Sequence, residues 1–480
     1  MCGIVGIVGV RPVAGRLVDA LKRLEYRGYD SAGVATVHDG QLERRRAEGK
    51  LVNLERRLGE DPLAGTIGIG HTRWATHGVP NETNAHPHFS DGIAVVHNGI
   101  IENFAEIKSE LMAGGATFVS QTDTEVIAHL LAHNVAGGMS PREAVQAMLG
   151  RVTGAFALAI LFKEEPGLLY AARSGPPLAI GYGTDEMYLG SDAIALAPFT
   201  NQVTYLVDGD WAVLTQNGAE IMDFSGQPVS RVRQQSTASA YVIIDKGNHR
   251  HFMEKEIYEQ PEAISHTLGH YIDFADSRIR DICGIDFTDL HSLAISACGT
   301  AYLAGLTGKY WFERYARLPV EIDVASEFRY REVPLTDRSA ALFISQSGET
   351  ADTLASLRYC KDAGLKIGAV VNVRESTIAR ESDAVFPILA GPEIGVASTK
   401  AFTSQLTVLA TLAIGAGRQR GTITPDQETQ LVGHLAEMPR IMSTVLNRIQ
   451  PKIEALARDL SKFKDVLYLG RGTSFPIAME

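Results

Sequence analysis

The sequence predicts two folds in series: an α+β domain of packed sheets, followed by α/β architecture with a parallel sheet. Three observations predict this. Residues 2 to about 225 hold many short β-like runs separated by Gly and Asp turns, residues beyond 290 alternate strand and helix patterns, and a polar stretch lies between them. At 480 residues the chain also exceeds what a single hydrophobic core organises, so several domains are expected.

In the first region, which we bound at 2–225, Ile93-Ala94-Val95-Val96, Ala157-Leu158-Ala159-Ile160-Leu161 and Trp211-Ala212-Val213-Leu214 read as strands, and 13–25 and 122–135 as helices. Residues 226–260 read as a linker: the composition turns polar, and the amphipathic run Phe252 to Tyr258 then leads into a helix. A second domain, 261–425, follows. Its strand-like runs 292–298, 320–324, 340–345 and 367–373 alternate with helical patterns at 301–316, 350–363 and 399–416. A faint repeat pairs Ile295-Ser296-Ala297-Cys298-Gly299-Thr300 with Tyr468-Leu469-Gly470-Arg471-Gly472-Thr473, each a strand running into Gly-Thr. We therefore expect 455–480 to open a further α/β domain that the chain does not complete, since such a domain needs several βα units of about 30 residues each.

Composition excludes several classes of function. Hydrophobic residues at 45% and charged residues at 21% describe an ordinary soluble globular protein. A net charge of -11 without a long Lys/Arg run argues against a nucleic-acid partner, and Arg44-Arg45-Arg46 reads as a solvated strand or turn edge. The apolar opening Met1 to Val10 lacks a basic flank and is too short to span a bilayer, so no membrane role is expected and the cytoplasm is the default location. Four widely spaced cysteines (Cys2, Cys283, Cys298, Cys360) give neither a disulfide framework nor a thiolate metal site. His71, His77, His86, His88 and His97 cluster without HExxH spacing, so they are read as turn and site-wall residues; no metal or cofactor is expected.

Cys2 stands before Gly3, and a small residue behind Met1 allows its removal. The thiol would then share a residue with a free α-amino group of pKa ~7.7–8.0, a nucleophile and its base together. Taken alone, Cys2 reads better as a small buried strand residue, and Asn98-Gly99 as a hairpin turn. Amide hydrolysis through a thioester needs N–H donors for the carbonyl oxyanion, which the Asn98 side chain and Gly99 backbone can supply. Glutamine recognition needs a cation for its α-carboxylate and an anion for its ammonium.

The motifs Met1-Cys2-Gly3-Ile4-Val5-Gly6, Leu24 to Gly33, Gly70-His71-Thr72-Arg73-Trp74-Ala75-Thr76-His77-Gly78, Val96 to Asn103 and Gln121-Thr122-Asp123-Thr124-Glu125 resemble the N-terminal-nucleophile (class II) glutamine amidotransferases. That resemblance implies an αββα glutaminase sandwich. It implies Cys2 as nucleophile with Asn98 and Gly99 at the oxyanion, Arg73 and Asp123 on the two charged ends of glutamine, Thr76 and His77 beside the carboxylate, and Trp74 on the ammonia route.

Further on, Leu342 to Thr353 places a strand, a hydroxyl-rich loop and a helix start in sequence, an arrangement suited to a phosphate monoester or to simple N-capping by Ser347. With Ala297 to Thr300, Ala325 to Arg331 and Glu393 to Thr403 it resembles a sugar-isomerase (SIS) domain. By that resemblance Ser345, Gln346, Ser347 and Thr350 hold the phosphate, Thr300, Val396 and Ser398 line the sugar, and Lys400 adds charge nearby. Ala301 departs from the family, which has Ser there.

Joined, the two regions resemble the glutamine:fructose-6-phosphate aminotransferase family, implying glutamine and fructose 6-phosphate as substrates and a homodimer. In that family a second SIS domain supplies an acid/base glutamate and histidine, and a tail lysine forms a Schiff base. Glu480 precedes all three, so the chain as given is expected to hold the glutaminase apparatus and half of the sugar site. The alternatives are glutaminase activity alone, a sugar-phosphate sensor, or an amidotransferase feeding a phosphoribosyl acceptor; intact Cys2, Arg73 and Asp123 oppose the sensor, and the SIS motifs oppose the last.

Overall fold

The computed structural model describes residues 2–25, 28–74, 78–236, 246, 248–281 and 284–480, and it divides into two compact units, 1–244 and 245–480. In the first unit two sheets stack. One has eight strands in the order Gln234–Gln235, Gln202–Tyr205, Ala179–Tyr182, Met187–Gly190, Gly3–Val8, Ile67–Arg73, Ser31–His38, Gln41–Glu48. The other has six: Gly218–Asp223, Asp210–Thr215, Leu169–Ser174, Gly154–Phe162, Ile93–Ile101, His88–Ser90.

Period-two alternation builds the layers. Ile4 and Val8 turn inward to meet Ala94, Val96, Ala157 and Ala159 of the facing sheet, while Val5 and Ile7 turn outward onto Leu17 and Leu21 of the helix Ala14–Lys22. On the opposite face Val95, Leu158 and Ile160 pack against Val126, Leu130 and Met148 of the helices Glu125–Ala136 and Pro141–Leu149. Helices therefore cover both outer faces of a two-sheet sandwich, the expected αββα order. The Gly3–Val8 strand lies centrally in its sheet, paired with Ile67–Arg73, and this register sets Cys2 beside Trp74.

Two readings need correction here. Asn98 and Gly99 form no hairpin turn; they lie inside the Ile93–Ile101 strand, opposite Ala157 and Phe156. Hydrophobic pairing over nine residues overrides the dipeptide's turn preference. Arg44 to Arg46 do occupy an edge strand, yet they are not simply solvated. Arg44 donates to Pro87 O, and Arg46 to Thr83 O and Ala85 O, so both guanidiniums tie down the loop before Pro87. Burial lowers the Arg46 pKa to about 10.

In the second unit five parallel strands run in the order Val320–Val324, Ser292–Ala297, Ser339–Ser345, Lys366–Val371, Ala384–Pro387. Leu293, Ile295, Leu342 and Ile344 bury against Phe312, Val408 and Leu412 on one face; Phe343, Ala369 and Val371 bury against Leu354, Leu357 and Ile378 on the other. Chain order reverses on either side of Ser292–Ala297, which makes the crevice at its C-terminal end, beside Ser339–Ser345, a topological switch point.

The segment 226–260 carries more structure than its polar composition indicates. Gln234–Gln235 pairs with Val203 and Gln202, and the helix Phe252–Tyr271 opens well before residue 260. A 36-residue helix, Pro425–Leu460, begins at a capping box made by Thr424 and Gln427. The expected strand around Tyr468 is absent from every sheet; residues 465–471 are exposed and outside any helix or strand, because a strand exists only where a neighbour accepts its hydrogen bonds. Among the described residues no helix is long and apolar enough to cross a membrane.

One buried ion cluster supports the first unit. Glu186, 2% exposed, binds Arg16 at 2.5 Å and accepts from Tyr188 at 2.6 Å, with Arg11 at 3.4 Å. Burial opposes its charge, but these partners hold its pKa near 2. A folded-state pKa below the unfolded one means stability that is present above pH ~4.5 and lost as pH falls through about 2. The stability gap between the parent and Glu186→Gln, measured by urea unfolding across pH, should therefore be widest above pH ~5 and close toward pH ~2. A gap that ignores pH would contradict this.

Candidate functional site

Cys2 sits half-buried at the start of the central strand, and its Sγ accepts the Trp74 N–H at 3.3 Å. Burial raises the thiol pKa, against the Trp74 N–H and the Arg73 charge, which lower it. The Trp74 side chain is 38% exposed and edge-on to Tyr29 at 5.4 Å, so it belongs to the cleft rather than the core. Gly28 permits this packing, since a Cβ there would stand 2.5 Å from the Arg73 carbonyl carbon.

A narrow cleft opens at Cys2, lined also by Arg73, Trp74, His86, His97, Gly99, Thr122, Asp123 and Thr124. Five of the sequence-selected residues thus converge, and Asn98 joins them by donating its Nδ2 to Cys2 O at 3.1 Å. Thr76 and His77 lie outside the described residues. Arg73 is 3% exposed, and its guanidinium reaches Gly78 O at 3.4 Å; burial lowers its pKa, while Cys2, Asp30 and Asp123 oppose that. Asp123, 5% exposed, accepts the Ile101 N–H at 2.8 Å. A cation and an anion that line one narrow cleft can meet the α-carboxylate and α-ammonium of an amino acid.

Gly99 has φ +126°, and a Cβ there would lie 1.9 Å from Ala155 O, so only glycine fits. Of the histidines, His71, His88 and His97 lie in strands, His86 stands in the bend before Pro87 and lines the cleft with His97, and His77 lies outside the described residues. His71 Nε2 contacts His97 O and Asn98 Oδ1, both at 3.0 Å; His86 Nε2 and His97 Nδ1 both reach Thr124 Oγ1, and His88 Nε2 reaches Thr122 Oγ1. Burial drives His71 and His88 down to about 3, so both are neutral. Among the described residues no three His, Cys, Asp or Glu side chains form a metal-binding group.

In the second unit the switch-point crevice holds the hydroxyl loop. Ser345 ends its strand; its Oγ accepts the Gly348 N–H at 3.0 Å and meets Thr350 Oγ1 at 3.0 Å. Gly348, at φ +65°, crosses so close to Ser376 that a Cβ would lie 1.9 Å from its Oγ. Thr350, not Ser347, is the N-cap of the helix Ala351–Asp362; Ser347 Oγ instead accepts the Glu349 N–H. Thr300 opens the neighbouring helix Gly299–Trp311, and its hydroxyl donates to Glu480. The loop's serine and threonine hydroxyls and the N-terminal end of Ala351–Asp362 lie together, donors of the kind that can meet an anion.

Val396, 78% exposed, and Ser398 stand on a separate loop that sequence motifs alone did not anchor. Glu256 accepts the Ile394 and Gly395 N–H groups at 2.5 and 2.9 Å, and Glu393 accepts Ser398 Oγ, Thr399 N and Ala401 N at 2.8–3.0 Å. Lys400 does not add free charge to the site: it is 5% exposed and paired with Glu259 at 2.7 Å. Asn372 joins the two loops, donating its N–H to Gln346 O and its side-chain amide to Gly391 O. Its backbone bond to Gln346 is 3.2 Å long. A carboxylate or amide that grips a loop from a distant helix or strand carries no local sequence signal.

A glutamine amidotransferase domain model matches residues 71–198, and a SIS domain model matches residues 286–415. The glutamine–fructose-6-phosphate aminotransferase [isomerizing] of Rhizobium meliloti is 74% identical over 481 residues, covering 100% of this chain and 79% of that protein. The chain belongs to the glutamine–fructose-6-phosphate aminotransferase family. The relative of that name from Agrobacterium fabrum is 73% identical with the same coverage. Among solved structures, the C-terminal domain of glucosamine-fructose-6-phosphate aminotransferase from Francisella tularensis is 39% identical, covering 49% of this chain and 66% of that chain, with a TM-score of 0.47.

Within this family member the 393–401 loop depends on Glu256. Replacing it by Ala removes the acceptor for two backbone N–H groups, each worth about 1 kcal/mol. Amide exchange at Ile394 and Gly395 should accelerate by about tenfold or more, while exchange in the Ser339–Ser345 strand stays at parental rates. Unchanged protection at Ile394 would contradict the anchoring role.

Proposed function

We propose that Cys2 hydrolyses glutamine to glutamate and that the ammonia converts fructose 6-phosphate to glucosamine 6-phosphate. Family membership supports the overall reaction, and the convergence of Cys2, Arg73, Gly99 and Asp123 on one cleft carries the assignment of its first half. With Met1 removed, the α-amine of Cys2 takes the thiol proton and the thiolate attacks the side-chain amide carbon. Asn98 Nδ2–H and Gly99 N–H meet the oxyanion; the C–N bond then breaks, the departing nitrogen takes the proton back, and ammonia leaves. Water hydrolyses the remaining γ-glutamyl thioester, releasing glutamate and restoring the thiol. Arg73 clamps the substrate carboxylate and Asp123 its ammonium; by family resemblance Thr76 and His77 serve the carboxylate and Trp74 the ammonia route.

At the second site Ser345, Gln346, Ser347 and Thr350 bind the sugar phosphate, and Thr300, Val396 and Ser398 face the sugar. Ammonia condenses with the C2 ketone, losing water, and a proton shift from C1 to C2 yields the amino sugar. Family resemblance extends the reading to a cytoplasmic homodimer. Two substitutions test the first half. Cys2→Ala should abolish ammonia release, whereas Arg73→Ala should raise KM for glutamine by more than about tenfold, as loss of a charge-assisted pair implies. Ammonia release by Cys2→Ala at the parental rate would overturn the proposal.

A further inference from the structure

The oxyanion donor Asn98 is itself held by a residue that neither the motif reading nor the cleft assigns. We propose that His71 is a positioning residue for catalysis: its Nε2–H fixes the Asn98 amide so that Nδ2, and not Oδ1, faces Cys2. This deepens the glutaminase reading and rests on it.

The two ends of the amide agree. Nδ2 lies 3.1 Å from Cys2 O, which can only accept, and Oδ1 lies 3.0 Å from His71 Nε2. His71 Nε2 also meets His97 O at 3.0 Å. Both its partners are acceptors, so Nε2 carries the ring proton. The ring cannot readily trade that proton for one on Nδ1: His71 is 0% exposed, and its Nδ1 finds no hydrogen-bond partner among the described residues. It lies against His86 with ring centroids 4.2 Å apart. Burial keeps the imidazole neutral down to about pH 3, so the tautomer persists across the working range.

A flipped Asn98 would set its NH2 against the His71 N–H, leaving two buried donors facing each other. It would also aim Oδ1 at the position where negative charge develops. Without His71, the amide is free to adopt that orientation, and part of the oxyanion stabilisation is lost. The strand pairing of Asn98 with Ala157 keeps the backbone in place, so the effect falls on the side chain.

The test is a double-mutant cycle on ammonia release. His71→Phe fills the ring volume but removes the donor, and His71→Gln restores an N–H near the Nε2 position. His71→Phe should lower kcat by about a hundredfold, the order expected for one oxyanion donor, with KM for glutamine within about threefold. A γ-aldehyde analogue of glutamine, which forms a tetrahedral adduct with the thiol, should bind more weakly in proportion to kcat/KM. Alkylation of Cys2 by iodoacetamide should keep its parental rate, His71→Gln should recover at least about tenfold of the loss, and His71→Phe should cost nothing further in an Asn98→Ala background.

Full additivity with Asn98→Ala, or a His71→Phe kcat equal to the parent's, would overturn the proposal. So would a KM that rises, and an alkylation rate that falls, in step with the loss of kcat. If His71→Phe does not fold, the cycle of His71→Gln with Asn98→Ala decides by the same additivity criterion. Ammonia release surviving Cys2→Ala would instead remove the glutaminase reading itself, a result separable from failure of the His71 role alone.

Discussion

The Asn98 amide works in two directions: Nδ2 donates to the carbonyl of Cys2 in one sheet, and Oδ1 accepts from His71 in the same sheet, while its backbone belongs to the other. One side chain therefore bridges the sandwich at the point where chemistry is proposed. For this to work, Gly3–Val8 must pair with Ile67–Arg73 in one register, and Ile93–Ile101 must pass Cys2 with Gly99 in a conformation closed to other residues. A shift of one residue in either strand would send Cys2 or Asn98 to the opposite face.

The alternation of Ile4 and Val8 inward with Val5 and Ile7 outward fills two cores at once, and so resists such a shift. Rigid strands suit a site whose donors must stand ready before charge develops. The phosphate site follows a different logic. There a parallel sheet presents strand ends and a helix N-terminus at its switch point, and loops carry the ligand-facing groups. Those loops are held within the same unit by Glu256 from the Phe252–Tyr271 helix, by Asn372 just after the Lys366–Val371 strand, and by Glu393 from the 393–401 loop itself.

Much of this architecture was legible in the residues. Strand and helix alternation in the second half followed from periodicity, and Cys2, Arg73 and Asp123 stood out because cation, anion and nucleophile occur in ordered motifs. Asn98-Gly99 was misread locally as a turn because dipeptide preference carries no information about a nine-residue strand paired across the sheet. His71 was legible only as one of a histidine cluster, and its link to Asn98 gave no signal, since that partner lies 27 residues away on another sheet. Glu256 was hidden for the same reason, bonding to Ile394 across 138 residues. The strand expected near Tyr468 shows the converse: a good local pattern remains unpaired without a neighbour.

The account stands on Cys2 as the atom that takes the acyl group. Rapid acid quench of the enzyme during glutamine turnover, followed by mass spectrometry of its N-terminal peptide, tests this directly. The account predicts a single γ-glutamyl group on the peptide beginning at Cys2, lost on treatment with hydroxylamine. Ammonia released at the steady rate with that peptide unmodified and its N-terminal Met1 still attached would contradict it.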